Sequence, residues 1–359
     1  MNGGIGAVMD RLTVDELVGR LDRFPRHPMA SVPTPLQQMP RLSEVVGGPN
    51  LWVKRDDLTG LALGGNKVRQ LEFFVGAAKA DNCDVFIGGG GYAQSNHARV
   101  CSAAALVAGM KPVIVVRPGG PPAVASTAGG NALLTRLFCS DARVAAELAA
   151  APTDRAAELE ARRTVFEAIA EEYRACGHRP YVLFGSSVPL GALGYVRAAI
   201  ELQAQFDEIG LEPDWVVVTS LGVTQAGLEV ASRVLGTGWQ VCGMAYRPTG
   251  GGGGEIIARL ARDAAELLGV ELAISGEEVM NLDEVAGPDY AVPSARSRDA
   301  VRLAARHEAL ILDPVYTAKG IAGLLHACAH GLFRAGETVV FVHTGGQPAL
   351  FAPSEVPSL

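Results

Sequence analysis

In the stretch Leu63-Gly64-Gly65-Asn66-Lys67-Val68-Arg69-Gln70-Leu71-Glu72 a lysine follows two glycines and an asparagine. Behind it Val68, Leu71, Phe74 and Val75 recur at helical spacing, which places the lysine where a tight turn becomes a helix. Glycine in such a turn permits positive φ and lets backbone approach a ligand that a Cβ would exclude. A lysine on the rim of the turn, against apolar neighbours, loses part of its proton affinity and can act as an amine nucleophile. A solvated lysine at an ordinary helix N-terminus is the other reading of these ten residues, and they leave both open.

Four further stretches carry polar residues where a strand ends and a loop begins. Gln94-Ser95-Asn96-His97 follows an apolar strand at 84–87 and the glycine loop 88–91, and it opens an alanine-rich helix at 98–108. A helix N-terminus offers unpaired N–H groups to a substrate carboxylate, and Ser95 can either cap the helix or move a proton. Ser220 to Gly227 follows the strand Trp215–Thr219, Asp313-Pro314-Val315-Tyr316-Thr317 follows a predicted strand at 309–312, and His343-Thr344-Gly345-Gly346 ends a strand at 338–343. His326 and His330, four apart on a predicted helix, share one face, but no acidic third ligand accompanies them, so no metal is expected.

Arg55-Asp56-Asp57-Leu58-Thr59-Gly60, followed by Gly64-Gly65-Asn66-Lys67-Val68-Arg69 and Leu71-Glu72, resembles the cofactor-lysine region of the D-cysteine desulfhydrase and aminocyclopropane-carboxylate deaminase family. That family is pyridoxal-phosphate dependent and has a tryptophan-synthase-β type of fold. The resemblance, which runs over 51–351, implies that Lys67 holds pyridoxal phosphate as a Schiff base. It implies that Asn96 touches the ring hydroxyl, that Ser95 assists proton transfer, and that Gln94, Ser95, Asn96, His97 and Tyr316 meet the substrate. Gly222, Thr224, Gln225 and Gly227 keep the look of the family's phosphate loop, whereas Ser220, Leu221 and Val223 depart from it. Gln70 stands where several relatives carry a lysine. Tyr290 resembles a second pocket tyrosine, with a packed loop aromatic as the alternative, and Thr344 and Gly345 resemble the closing turn near the ring. Thr317 occupies the place of the pyridine-nitrogen partner. The ring-opening deaminases carry glutamate there, so a threonine, supporting a neutral ring and a weaker electron sink, points to a desulfhydrase-like reaction.

The elements that must position these residues follow from alternation. Apolar strands and amphipathic or alanine-rich helices alternate along the chain, which requires crossover helices and a mainly parallel sheet. The expected architecture is α/β, with two open, mainly parallel αβα sheets of the fold-type-II kind and the active site between two lobes. Residues 1–69 and 186–359 form the larger, cofactor-binding lobe and 70–185 the smaller. Prolines 25, 28, 33, 35 and 40 make the N-terminal region a wrapping arm, 152–154 start a long helix, 185–191 form a loop after a strand at 181–184, and the five-glycine run at 250–254 reads as a mobile loop.

An apolar content of 48% with 19% charged residues excludes a disordered chain, and a net charge of −7 without a basic run gives no reason to expect a nucleic-acid partner. Six scattered cysteines without a CxxC pair fit reduced thiols in the cytoplasm, and no secretion signal or membrane span is expected. The expected activity is a pyridoxal-phosphate lyase that performs α,β-elimination on a small sulfur-bearing amino acid, D-cysteine first, to give pyruvate and ammonia. L-Cysteate cleavage, aminocyclopropane-carboxylate deamination, β-replacement and a non-catalytic scaffold are the alternatives. The expected partners are the amino-acid substrate and a second copy of the chain in a homodimer.

Overall fold

The computed structural model describes residues 11–89, 91–148, 155–184 and 188–353. The sequence readings at 1–10, Gly90, 152–154 and 185–187 lie outside the described residues. Ten strands fall into two sheets. The first has the order β1 (Leu36–Gln38), β2 (Asn50–Lys54), β10 (Thr338–Val342), β7 (Trp215–Thr219), β8 (Gln240–Met244), β9 (Met280–Leu282). The second has the order β5 (Asp141–Val144), β4 (Lys111–Val116), β3 (Val85–Gly89), β6 (Pro180–Val182). All pairs are parallel except β1 with β2. The expected two mainly parallel sheets are therefore present.

Alternation along β7 and β10 feeds two cores. Val216, Val218, Val340 and Val342 face helices at Leu193–Ile209, Val223–Leu235 and Gly253–Leu267, while Val217, Val339 and Phe341 join Leu51, Val53 and the helices at Ala295–Glu308 and Thr317–Ala329. Register aligns the strand ends that matter: Val342 of β10 lies opposite Lys54 of β2 and Val218 of β7. The loops that begin at Arg55, Ser220 and His343 therefore leave the same carboxyl edge of the sheet, the edge where open α/β sheets bind ligands.

The charged residues around the lysine turn are anchors. Arg69 is buried and grips both carboxylate oxygens of Asp56 at 2.8 and 2.9 Å and those of Glu201 at 2.9 and 3.0 Å, while Tyr195 donates to Asp56 at 2.7 Å and Lys54 to Glu201 at 2.6 Å. Glu72 accepts from the amides of Met29 and Ala30 at 2.6 and 2.8 Å and from Arg26, so the proline-rich arm is pinned to the helix Asn66–Ala80. Such charges are stable in a dry interior only when paired, and their pairing fixes the direction in which this helix leaves its turn.

Three local expectations are corrected. Residues 309–312 form no strand: Ala309 ends the preceding helix with φ +53°, and 310–313 run on irregularly toward Asp313. The proline-rich arm, read as a wrapping segment before a first strand at 51–54, itself holds β1, a three-residue antiparallel edge. Two of the five glycines are helical, since Gly253 and Gly254 open the helix Gly253–Leu267, and Asp283 accepts from the Thr249 amide and hydroxyl just before the run at 2.8 and 2.7 Å. Among the described residues no helix is long and apolar enough to cross a membrane.

Candidate active site

Lys67 is the second residue of the helix Asn66–Ala80. Gly65, with φ +111°, caps it, and a Cβ at Gly64 would run into the Asp57 carbonyl, so the turn requires glycine at both positions. Arg99, from the helix Asn96–Val107, is fully buried and donates to the carbonyls of Ala62 and Gly64, which stiffens the same turn. Burial lowers the proton affinity of Lys67 to about 8, against 10.5 for an ordinary lysine, and its ammonium donates only to Gln70 Oε1 at 3.3 Å among its hydrogen bonds in the described residues.

From this turn the contacts run through every other stretch. The Asn66 amide donates to the Thr344 carbonyl at 3.0 Å, and a Cβ on Gly345 would come within 2.7 Å of Gly65 Cα, so the closing turn lies directly against the lysine turn. His343 holds that turn in shape, accepting from the Gly345 amide on Nδ1 at 3.2 Å with Nε2 3.1 Å from the Ile311 carbonyl. A Cβ on Gly346 would meet Asp313 at 2.7 Å. Asp313, fully buried, accepts from the amides of Val315, Tyr316 and Thr317 at 2.8 to 2.9 Å and from the Thr317 hydroxyl at 2.7 Å, fixing the start of the helix Thr317–Ala329.

Tyr316 and Tyr290 place their hydroxyls 2.8 Å apart. Two aromatic residues that sequence reasoning missed complete the cluster: Tyr246, edge-on to Tyr316 at 4.9 Å between centroids, and Tyr92, stacked on Tyr290 at 6.2 Å. Tyr92 belongs to the loop that leads to Ser95, whose amide donates to the Tyr92 carbonyl at 3.1 Å. The phenols thus connect 290 and 316 to the Ser95 and Asn96 helix end. Period and spacing could not reveal Tyr246, although its position two residues past the carboxyl end of β8 was a signal.

At the helix Asn96–Val107, Ser95 caps by accepting from the Ala98 amide at 3.2 Å. The Asn96 side-chain oxygen is buried and, among the described residues, accepts no hydrogen bond. Gln94 is committed to the loop at 126–131: its side-chain amide donates to Ser126 and Ala128 carbonyls at 2.9 and 3.2 Å and its oxygen accepts from the Asn131 amide at 2.8 Å. His97 is buried beside Cys101, with Sγ 3.4 Å from Nε2. Burial and then the Lys67 charge push its pKa down to about 3, which keeps the imidazole neutral.

Thr224, in the first turn of the helix Val223–Leu235, receives two donors on its hydroxyl oxygen: Asn66 Nδ2 at 2.9 Å and Gln70 Nε2 at 3.0 Å. With both lone pairs occupied, the hydroxyl is left to donate. Gln70 therefore serves as a polar link between Lys67 and Thr224. Gly222 is extended at φ −168° and its amide bonds Ser220 Oγ at 3.1 Å. Gln225 is fully buried, donating to the Met280 carbonyl at 2.9 Å and accepting from Asn281 at 2.8 Å. Leu221 packs with Ala245, Ala286 and Tyr246, which gives the departure at that position a structural role.

The model of the pyridoxal-phosphate dependent enzyme family matches residues 29–345. The chain belongs to that family. It is 37% identical over 345 residues to the 1-aminocyclopropane-1-carboxylate deaminase of Burkholderia multivorans, covering 94% of this chain and 98% of that one, and 36% identical over 338 residues to the deaminase of the same name from a Bradyrhizobium species, covering 92% and 96%. The crystal structure of a protein described as an ACC deaminase homologue superposes with a TM-score of 0.81 at 32% identity, covering 94% of this chain and 97% of that one. A threonine deaminase from T.th. shares the fold, with a TM-score of 0.61 at 19% identity, covering 93% of this chain and 98% of that one.

The residues present fit pyridoxal phosphate, this family's cofactor. An amine of lowered proton affinity suits its aldehyde, the unmatched Asn96 oxygen suits a ring hydroxyl, and a helix N-terminus with a hydroxyl left to donate suits its phosphate. Thr224→Val is expected to weaken cofactor affinity by about 1–2 kcal/mol, since it removes one hydrogen bond to a charged group and leaves two amides without an acceptor. Titration of the cofactor-free protein measures this, and an unchanged affinity would place the phosphate elsewhere.

Proposed function

We propose that this enzyme performs α,β-elimination on a small sulfur-bearing amino acid, D-cysteine or a close analogue, releasing sulfide, pyruvate and ammonia. Lys67 would hold the cofactor, with Asn96 at the ring hydroxyl and Thr224 and the amides beyond Gly222 at the phosphate. Bound there, the cofactor supplies an electron-withdrawing system for the substrate Cα. Lys67 or Ser95 would remove the Cα proton. Ser95 suits this task because its oxygen sits at the helix end that would receive the substrate carboxylate. Tyr316, backed by Tyr290, delivers a proton to the departing sulfur. Burial raises the pKa of both phenols, so at neutral pH they are donors. Hydrolysis of the released unsaturated amine yields pyruvate and ammonia.

The observation that carries the choice of substrate is Thr317. Its hydroxyl donates to Asp313 and accepts from the Asp313 amide at 2.8 Å, so the nearest carboxylate stands one hydrogen bond behind the position at which the ring-opening branch places a glutamate. An uncharged side chain at that position, whose hydroxyl would turn from Asp313 to donate to the ring nitrogen, supports a weaker electron sink, suited to a reaction in which the leaving group departs soon after the proton. The second reading, opening of the aminocyclopropane-carboxylate ring, is favoured by the names of the relatives above. Keto-acid release from D-cysteine, L-cysteate and aminocyclopropane carboxylate, each with and without added thiol, tests both and also tests β-replacement. Elimination from D-cysteine at least about tenfold faster than ring opening is expected, one order of magnitude being a difference of about 1.4 kcal/mol in barrier. Ring opening at an equal or higher rate would overturn the proposal. The proposal includes a homodimer in the cytoplasm, where the free cysteines would stay reduced, and light scattering checks the dimer.

A further inference from the structure

Lys319 lies in the helix that starts at Thr317, and its side chain is fully buried. Its ammonium donates to the Tyr246 carbonyl at 2.9 Å and to the Asp289 carbonyl at 2.7 Å. Tyr246 follows β8 and Asp289 immediately precedes Tyr290, so one cation joins two loops that are 43 residues apart in sequence to a third element. A buried ammonium with two backbone carbonyls as partners is costly to keep, and an apolar side chain of similar length would fill the same space. What the ammonium adds is a fixed distance between the loops. Tyr246 meets Tyr316 edge-on at 4.9 Å and Tyr290 at 5.8 Å, and the Tyr290 and Tyr316 hydroxyls touch. The helix that supplies Tyr316 at its start therefore supplies, one turn later, the group that holds the backbone of the other two tyrosines.

We propose that Lys319 is a positioning residue of the substrate pocket, fastening the loops that carry Tyr246 and Tyr290 to the helix that follows Tyr316 and so setting the spacing of the three phenols that receive the β-substituent of the amino acid. The role rests on the reading of Tyr290 and Tyr316 as pocket residues, and it adds Tyr246 to that wall. Burial lowers the proton affinity of Lys319 to about 8, with Asp289 and Asp313 acting in the opposite direction, which is consistent with an ammonium kept by its partners and not by solvent.

Lys319→Met keeps the length and removes the donors. In the cofactor-free protein, amide hydrogen exchange at 245–249 and 286–292 is expected to accelerate by about tenfold or more, while exchange in the helix Asn66–Ala80 stays unchanged. In the loaded enzyme, KM for the amino acid is expected to rise by about tenfold, with cofactor affinity unchanged, because the phenols lose their spacing and not their chemistry. Unchanged exchange and KM overturn the proposal. So does acceleration that extends to the lysine helix together with a parallel fall in cofactor affinity, the outcome of a general structural role. If Lys319→Met does not fold, Tyr246→Leu decides: a raised KM with unchanged cofactor affinity supports the wall, and an unchanged KM overturns it. Tyr316→Phe without effect on any substrate would instead remove the pocket reading itself, while the exchange result in the cofactor-free protein still reports on the clamp.

Discussion

Lys67→Ala is expected to abolish covalent capture of pyridoxal phosphate and to lower turnover by about 10²–10⁴-fold or more, the range lost with a positioned catalytic group. Among the described residues two lysines, Lys67 and Lys319, have a proton affinity lowered by burial to about 8, so lowered basicity alone does not single one out. Geometry does. Lys319 is fully enclosed and directs its ammonium at two backbone carbonyls, whereas Lys67 sits on the rim of a glycine turn with, among the described residues, a single, long bond to Gln70. Borohydride reduction followed by peptide mapping is expected to fix the cofactor on the Lys67 peptide, and an adduct on Lys319 would overturn the assignment.

The pH dependence of capture follows from the same burial. An amine reacts in its neutral form, and at pH 7 a group with pKa about 8 is roughly 10% neutral, against roughly 0.03% for a lysine at its ordinary value. The rate of cofactor capture by the cofactor-free protein is therefore expected to rise through pH 8 and then level off. A rate still rising steeply at pH 10 would mean that the ammonium is solvated. The linked effect on stability has the opposite sense to that of an ion-paired lysine. Because the folded-state pKa lies below the unfolded one, the charged form strains the fold below about pH 8, and that strain is relieved as pH rises toward the unfolded value.

How much of this was legible in the sequence depended on whether the signal was local. The lysine turn was legible because two glycines and a helical apolar period sit side by side, and the helix at Asn96 because a cap and an alanine run adjoin it. Parallel sheets were legible from alternation, since β4, β7, β8 and β10 are continuous apolar runs. Short edge strands were not: β5 and β9 are four and three residues long and lack such runs. The stretch at 309–312 reads as a strand by composition, but a left-handed Ala309 at a helix end turns the chain so that it supplies Asp313 in place of a ladder. The roles of Asp56, Arg69, Gln70 and Lys319 were invisible because each depends on a partner far away in sequence. Gln70, which stands where several relatives carry a lysine, links Lys67 to a threonine more than 150 residues on.

The phenol pair carries the second large effect. Tyr316→Phe is expected to lower elimination from D-cysteine by about 10²–10⁴-fold, the span measured for removal of a general acid or base. The argument is one of proton supply. Both hydroxyls are held protonated by burial, and they lie 2.8 Å apart, so in the proposed reaction a proton given by Tyr316 would be replaced from Tyr290. A thiol leaves more readily as the neutral species than as an anion in a dry site, and a ring carbon needs a proton still more. Chloride needs none. With D-β-chloroalanine as substrate, Tyr316→Phe is therefore expected to retain wild-type turnover within about tenfold, because the step the phenol assists is absent. Tyr290→Phe is expected to lose only about tenfold on D-cysteine, since Tyr316 keeps its own proton. Following pyruvate release from both substrates by all three proteins separates proton delivery from packing. An equal loss on D-cysteine and D-β-chloroalanine would mean that Tyr316 merely shapes the pocket, and no loss on either would remove the pair from the reaction.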